Sequence, residues 1–158
     1  MNHNDLIERY RNGAQLFVDA VKGTSSKMWD KAPAPGKWTI RQIIQHTVDA
    51  EVVFSLRIRM LGSENDATLI AFDQDKWAES LAYTQRPVES ALALFAALRE
   101  ANAALLAALP QSAWAHLGHH PERGAMKIED QVSVYINHGE NHARAVREAA
   151  SALGRAAA

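Results

Sequence analysis

The sequence contains no cysteine, no long uncharged apolar segment and no excess of charge of either sign. Without cysteine, the chain has no disulfides, no thiolate metal ligands and no cysteine nucleophile, which leaves histidine as the obvious soft ligand. Basic and acidic residues nearly balance, at 17 and 18, and no run of Lys or Arg supplies the positive patch that nucleic-acid binding needs. We therefore expect no nucleic-acid partner.

The apolar segments do not predict a membrane protein. No uncharged apolar run reaches the roughly 18 residues that a membrane-spanning helix needs. The N-terminal residues include acids and lack the apolar core of a signal peptide. We expect a soluble, cytoplasmic protein with no membrane partner.

The remaining composition is that of an ordinary globular protein, with 47% hydrophobic and 22% charged residues in a chain of 158. This length is typical of one domain, so we predict a single domain over 1–158. Apolar residues recur at helical spacing in four segments, and no strand pattern is visible. The sequence predicts an all-α four-helix bundle, with helices over about 4–22, 39–61, 87–109 and 127–153.

Capping residues predict where these helices begin and end. Asn4 is a candidate N-cap of the first helix, and Thr39 with Gln42 forms a capping-box pattern at the start of the second. Gly62 and Gly154 would each lie just beyond a helix end.

Two long connections, 63–86 and 111–124, separate the helices. Connections of this length in a compact domain commonly cover or build a site. Residues 73–79 could form one short helix. Asp73 and Asp75 could bind a substrate cation, but an Asp before a short helix is more commonly an N-cap, and we favour that interpretation.

His138 and His142 are the first candidate metal ligands, because a spacing of four residues puts both on one face of the last helix. Such a pair taken alone is more often surface or hydrogen-bonded core histidine. Here Val132 and Tyr135 lie on the same side, which predicts that the face points inward. Burying unpaired imidazoles is costly, and a shared cation would offset part of that cost. His46, on the predicted core side of the second helix, could be the third ligand.

Three neutral imidazoles around a divalent ion leave a coordination position open, as in catalytic sites. Such a ligand set suits Zn, Ni, Co or Fe. Asp49, one turn after His46, could orient a ligand histidine, although an exposed or Arg-paired acid is an equal alternative. Tyr135 could line the site.

Three further residues have alternative interpretations. Asn102, polar on the inner stripe of the third helix, could approach the metal ligands or face a dimer contact. His120 and Glu122 could lie at the mouth of the site as proton acceptors or substrate contacts, but loops collect solvated polar residues whatever their role.

The order of motifs resembles one known family. Residues 38–46 (WTIRQIIQH), followed by Asp49 and by His138-x-x-x-His142, resemble the DinB-like superfamily. Residues 72–79 (FDQDKWAE), 87–89 (PVE) and 120–124 (HPERG) occur in the order typical of its YfiT-like branch. The resemblance extends from about Trp38 to Val146, and the combination is more specific than any one motif.

This resemblance implies a four-helix bundle with a three-histidine site at His46, His138 and His142, holding one divalent ion, typically nickel or zinc. Members have been described as metal-dependent hydrolases. Relatives transfer low-molecular-weight thiols such as bacillithiol or mycothiol to small electrophiles, or isomerise maleylpyruvate with them, so a thiol cosubstrate and a small-molecule substrate are implied. Many members are homodimers.

Two functional hypotheses and one structural alternative follow. In the first, the protein is a transferase-like or hydrolase-like enzyme whose metal activates a thiol or water. In the second, it is a non-catalytic metal-binding or stress-related dimeric bundle. The structural alternative is a bundle whose histidines never meet.

Overall fold

Five α-helices form most of residues 2–156, the part of the chain that the computed structural model describes. Met1 and the last two residues of the predicted domain lie outside this part. The helices are α1 (His3–Lys22), α2 (Ile40–Ser63), α3 (Gln74–Ser80), α4 (Val88–Ala108) and α5 (Ile128–Ala156). The four long helices form the bundle, in which both α1 and α2 pack against α4 and α5. The predicted all-α bundle is confirmed, and α3 is the short helix expected in the first long connection.

The prediction that the chain has no strands is wrong. Three short strands, β1 (Ala67–Thr68), β2 (Gly118–His120) and β3 (Gly124–Met126), form one small sheet. β1 pairs with β2 in parallel, and β2 pairs with β3 antiparallel. Strands of two or three residues are too short to show an alternating pattern in sequence. The sheet joins the two long connections to each other.

Three predicted helix ends are also wrong. Asn2, and not Asn4, caps α1 by accepting a hydrogen bond from the backbone N–H of Asp5. Gly62 lies within α2 and Gly154 within α5. At Gly62 a Cβ would lie 3.1 Å from a methyl group of Leu109, so this glycine allows a close approach rather than ending the helix.

The start of α2 is as predicted. The Thr39 hydroxyl accepts from the backbone N–H of Gln42, and the Gln42 side chain accepts from that of Thr39. This reciprocal pair satisfies two backbone donors that have no partner within the helix. The helix therefore begins at a defined residue, Ile40, six positions before His46.

Aromatic packing fixes α2 against α1 and α5. The ring of Phe54 on α2 lies 5.0 Å from that of Tyr10 on α1 and 4.5 Å from that of Tyr135 on α5, measured between centroids. All three side chains are buried. Offset aromatic pairs of this kind stabilise a core beyond their buried area. The contact between Phe54 and Tyr135 joins the two helices that carry the candidate histidines.

A buried ion pair lies beside these aromatic rings. Arg99 of α4 and Glu51 of α2 are each only 1% exposed, and Nε of Arg99 donates to the Glu51 carboxylate at 2.8 Å. The same guanidinium donates to the backbone carbonyls of Tyr10 and Tyr135. Every guanidinium nitrogen thus has a partner, which is the condition for tolerating a buried charge.

Helix α4 is the one helix in the described part of the chain that is long and apolar enough to span a membrane by length and composition alone. An 18-residue stretch of this helix has a mean hydropathy of 1.5, and 33% of that stretch is buried inside the protein. The same helix carries Arg99 and Asn102 on its buried face. The cytoplasmic location stays a prediction.

Candidate metal centre

Three histidines from two helices converge at one point. Nε2 of His138 lies 3.0 Å from Nε2 of His46 and 3.1 Å from Nε2 of His142. One ring nitrogen from each residue lies within 4.8 Å of the other two. His46 is buried, and the other two are half-buried. The structure therefore brings together the three residues that the sequence analysis selected.

These distances fit a shared metal ion. Two ligand nitrogens about 2.0–2.1 Å from one ion are about 2.9–3.4 Å apart for bond angles between tetrahedral and right angles. The two contacts with His138 fall in that range. A divalent ion bound by all three Nε2 atoms would keep at least one coordination position for another ligand.

The environment keeps the three imidazoles in the neutral form that binds metal. Burial lowers the pKa of His46 to about 4, opposed by the Asp49 carboxylate. Burial, together with the neighbouring His46, lowers the pKa of His142 to about 4. The pKa of His138 is lowered well below its usual value by burial and by the two other histidines. At neutral pH each ring therefore has a nitrogen lone pair for a cation.

The second ring nitrogen of His46, Nδ1, is buried and forms no hydrogen bond with any described residue. Asp49, which could have oriented this ring, instead accepts two hydrogen bonds from Arg86, at 2.7 and 3.0 Å. The Arg-paired alternative for Asp49 is the one found.

A cavity of about 550 Å³ opens beside the histidines. Its volume is in the range of small-molecule sites. Residues from α2, α5, the β1–α3 connection and the β2–β3 turn form its wall. The lining residues are His46, Ala50, Arg57, Ala71, Phe72, Asp73, Gln74, His120, Glu122, Arg123, Val134, Tyr135 and His138.

Several predicted site residues line this cavity. Tyr135 is buried in the wall, and burial is the main cause that raises its pKa to about 12. His120 is buried at the end of β2, although its neighbour Glu122 is exposed. Asp73 is exposed and caps α3 by accepting from the backbone N–H groups of Asp75 and Lys76, as predicted.

Both ring nitrogens of His120 face N–H donors. Nε2 lies 2.8 Å from Nη2 of Arg57, and Nδ1 lies 3.2 Å from the backbone nitrogen of Glu122. Burial and the nearby Arg57 charge lower the pKa of His120. A neutral imidazole carries a proton on one ring nitrogen, so His120 can accept a hydrogen bond from only one of these two donors.

Asn102 does not contact the three histidines. Its amide donates to the hydroxyl of Tyr10 and accepts from Ser55 and Arg59. These contacts place it in the buried polar network around Glu51, on the other side of α2. The hydrogen bonds that a buried amide needs are therefore supplied to Asn102 by this network and not by the candidate metal centre.

Arg57 is the functional candidate that sequence reasoning missed. None of the motifs considered above includes Arg57, but its side chain is buried and lines the cavity. The spacing of His46, Ala50 and Arg57 puts all three on one helix face, because 11 residues make just over three full turns. That shared face was a signal available in the sequence.

The comparisons with known proteins agree with this geometry. The model of the DinB superfamily matches residues 9–146. This chain belongs to the DinB superfamily. The match covers all three histidines, so the predicted family is confirmed, including the likeness to its YfiT-like members.

Sequence relatives of this DinB protein are named as metal-dependent hydrolases, an activity that has been assigned to them by inference. One, from Oceanobacillus iheyensis, is 27% identical over 139 residues, or 88% of this chain and 80% of the relative. Another, from Bacillus mycoides strain KBAB4, is 29% identical over 123 residues, or 78% of this chain and 70% of the relative.

Solved structures show the same fold. YfiT from Bacillus subtilis, described as an inferred metal-dependent hydrolase with an unusual four-helix bundle topology, superimposes with a TM-score of 0.88 at 21% identity. That match covers 96% of this chain and 87% of YfiT. A mycothiol-dependent maleylpyruvate isomerase has a TM-score of 0.76 at 9% identity, covering 91% of this chain and 60% of the isomerase.

Proposed function

We propose that the protein is a metal-dependent enzyme whose ion is held by His46, His138 and His142. The observation that carries this proposal is the convergence of three Nε2 atoms beside a cavity large enough for a small molecule. Relatives named as inferred hydrolases support metal dependence.

A divalent ion at this site would lower the pKa of a thiol or water and so provide an anionic nucleophile near neutral pH. The protein's own residues provide the rest of the site. The three imidazoles would bind the ion in their neutral form, and the rings of Tyr135 and Phe72 contribute apolar surface to the cavity wall. Arg57 contributes a positive charge close to where a substrate would lie.

We propose nickel or zinc as the ion and a low-molecular-weight thiol or water as the nucleophile. Imidazole ligands suit both metals. The fold shared with a mycothiol-dependent isomerase supports the thiol, and the hydrolase names support water. The substrate would be a small electrophile, since the cavity is about 550 Å³.

Elemental analysis of protein purified without a histidine tag tests the metal site. We expect nearly one equivalent of metal in the wild type and little in His46→Ala or in His138→Ala/His142→Ala. His119→Ala is the matched control, because His119 is exposed and lies outside the cluster. A wild type that binds neither Ni nor Zn when these are added would disprove the proposal.

A rate assay then separates an enzyme from a metal-binding protein without activity. The metal-loaded wild type and the His138→Ala variant are compared on a panel of small electrophiles with a thiol, and on ester and amide substrates without one. The enzyme predicts turnover that the variant loses. Saturation with metal and no turnover in either assay would favour the non-catalytic dimeric bundle.

We also propose a homodimer, as the family resemblance implies. Sedimentation equilibrium at several protein concentrations checks this directly. A mass equal to that of one chain at all concentrations would contradict it.

A further inference from the structure

Arg57 carries a buried charge that has no acid partner among the described residues. The residue is 5% exposed, and no carboxylate lies within 4.0 Å of its guanidinium in the part of the chain that is described, unlike Arg99, which pairs with Glu51. A buried charge is costly unless an opposite charge or several hydrogen bonds compensate it. Arg57 also lines the cavity beside His46 and His138.

The hydrogen bonds of Arg57 hold one edge of its guanidinium and leave the other nearly free. Nε and Nη2 donate to the backbone carbonyl of Ile70, at 2.9 and 2.6 Å, and Nη2 also faces His120. Nη1 has one long contact, 3.4 Å, to the hydroxyl of Tyr135. Arginine has two N–H donors on each terminal nitrogen, so Nη1 keeps donor capacity for a ligand.

The other charged groups of the cavity wall lie in exposed positions. Arg123 adds a second positive charge, whereas Glu122 and Asp73 are negative. The Asp73 carboxylate is engaged in capping α3. Glu122 acts on Arg57 at a distance and makes no ion pair with it within the described residues. The deepest fixed charge of the cavity is therefore the positive charge of Arg57.

We propose that Arg57 forms a subsite for a carboxylate group of the small molecule that occupies the cavity. Nη1 of Arg57 would donate to the carboxylate, and the hydroxyl of Tyr135 can donate to its second oxygen. The carboxylate can belong to the electrophilic substrate or to the thiol. The inference deepens the proposed function, because a carboxylate held at Arg57 would orient the rest of the molecule towards the three histidines.

Metal-free protein tests the subsite separately from the metal. Succinate is titrated into ¹⁵N-labelled protein, and the Nε–Hε signal of Arg57 is followed by NMR; its hydrogen bond to Ile70 slows exchange with water. Succinamide, which has the same length and no charge, is the ligand control. Arg57→Gln identifies the signal by its loss, and the backbone amides of 70–72 then report binding in that variant.

We expect saturable shifts with succinate, little change with succinamide, and a dissociation constant about 10- to 100-fold higher in Arg57→Gln. Arg59→Gln, two residues along α2 and exposed, is the matched control and should bind like the wild type. Glu122→Gln should bind succinate more tightly, because a negative charge at the rim is removed. Arg57→Lys keeps the charge and should lie between wild type and Arg57→Gln.

Equal shifts with succinate and succinamide, or equal succinate affinity in wild type and Arg57→Gln, would overturn the subsite. The first comparison uses only the wild type, so it holds even if Arg57→Gln fails to fold. If Arg57 only binds the Ile70 carbonyl, Arg57→Gln should lower the stability of the protein. The wild type should then bind succinate and succinamide equally.

Cobalt-loaded protein shows which molecule brings the carboxylate. Mercaptoacetate, mercaptopropionate and mercaptobutyrate are compared with their methyl esters by the thiolate-to-cobalt absorption band. If at least one acid binds more tightly than its ester, and Arg57→Gln loses this difference, the carboxylate belongs to the thiol. Equal binding of acids and esters, with succinate binding retained, assigns it to the electrophilic substrate.

The two proposals fail in different ways. Absence of a cobalt complex, or of any thiolate band, counts against the proposed function but leaves succinate binding to metal-free protein as a separate result. If the thiolate band is seen, but succinate binds no better than succinamide and the mercapto acids bind no better than their esters, the carboxylate subsite is disproved. The proposed function is not affected by that result.

Discussion

Nε2 of His46 lies 3.0 Å from Nε2 of His138, and this contact joins α2 to α5. The two residues are 92 positions apart in the chain, so only the packing of the bundle brings them together. Each neutral imidazole has one ring N–H, and two Nε2 atoms in contact can share at most one such proton between them. Either the pair forms a hydrogen bond with one defined tautomer, or both nitrogens bind a cation.

The metal-free protein should lose stability as the pH falls from about 6.5 towards 4. The pKa of His46 and of His142 is about 4 in the folded protein and about 6.5 in the unfolded chain. Between these values the unfolded chain binds more protons, so the stability is complete above pH 6.5 and is lost as the pH falls through the folded pKa. Each histidine contributes on the order of 3 kcal/mol.

Urea unfolding of metal-free protein at several pH values checks this dependence. His46→Gln should show a shallower loss between pH 6.5 and 4 than the wild type, whatever its stability at pH 7. His119→Ala, which changes an exposed histidine, should keep the slope of the wild type. The same slope in all three proteins would contradict the prediction.

Asp49→Asn should change metal affinity only slightly. Arg86, and not a histidine, holds the Asp49 carboxylate, so the substitution removes an ion pair without releasing a ligand. We expect a change in the dissociation constant of less than about fivefold, where loss of a residue that orients a ligand histidine typically costs 10- to 100-fold. Competition with a chelator measures the affinity. A loss of more than tenfold would show that Asp49 acts on the site.

Gly139→Ala should destabilise the protein by about 2–4 kcal/mol. A Cβ at this position would lie 2.9 Å from Nη2 of Arg99, and that guanidinium cannot move without breaking its contacts with Glu51 and two carbonyl groups. Gly154→Ala is the control on the same helix, because no described residue outside the helix's own backbone lies within 4 Å of its Cβ. It should be neutral or stabilising by up to about 1 kcal/mol. If Gly139→Ala and Gly154→Ala change the free energy of unfolding equally in chemical denaturation, the steric argument is wrong.

Arg99→Met should cost about 3–5 kcal/mol, because it leaves the Glu51 carboxylate buried without a counterion. Adding Glu51→Gln should recover part of the loss, since a neutral amide is cheaper to bury than an unpaired charge. Arg9→Met, which breaks the exposed pair with Glu140, should cost less than about 1 kcal/mol. A thermodynamic cycle from urea unfolding measures the coupling. If the changes in the free energy of unfolding caused by Arg99→Met and Glu51→Gln simply add, the two residues are not coupled and the prediction is wrong.

Much of the fold could be predicted because its signals are local. The capping box of Thr39 and Gln42 and the helical spacing of apolar residues depend on neighbours within one or two turns. The pair His138 and His142 has the same local origin. The strands were missed because residues such as Ala67 and Gly118 become strands only by pairing across some fifty positions, with no local pattern of their own.

The wrong helix ends have a related cause. Gly154 was predicted to lie beyond α5, yet the helix continues to Ala156, since one glycine costs only about 1 kcal/mol and the following Arg and Ala residues favour helix. Gly62 stays within α2, where Leu109 packs close to it. Propensity is a weak guide where such packing opposes it.

Residue types and their spacing along the chain were enough to predict the four long helices, the family and the three candidate histidines. The partners of the polar side chains could not be predicted in this way, because they depend on how the helices pack together. The tertiary structure paired Asp49 with Arg86 and placed Asn102 beside Tyr10. It also left Arg57 in the cavity wall without an acid partner within the described residues. A side chain of one helix can meet several neighbours, and the choice among them is made by the packing of all the helices together.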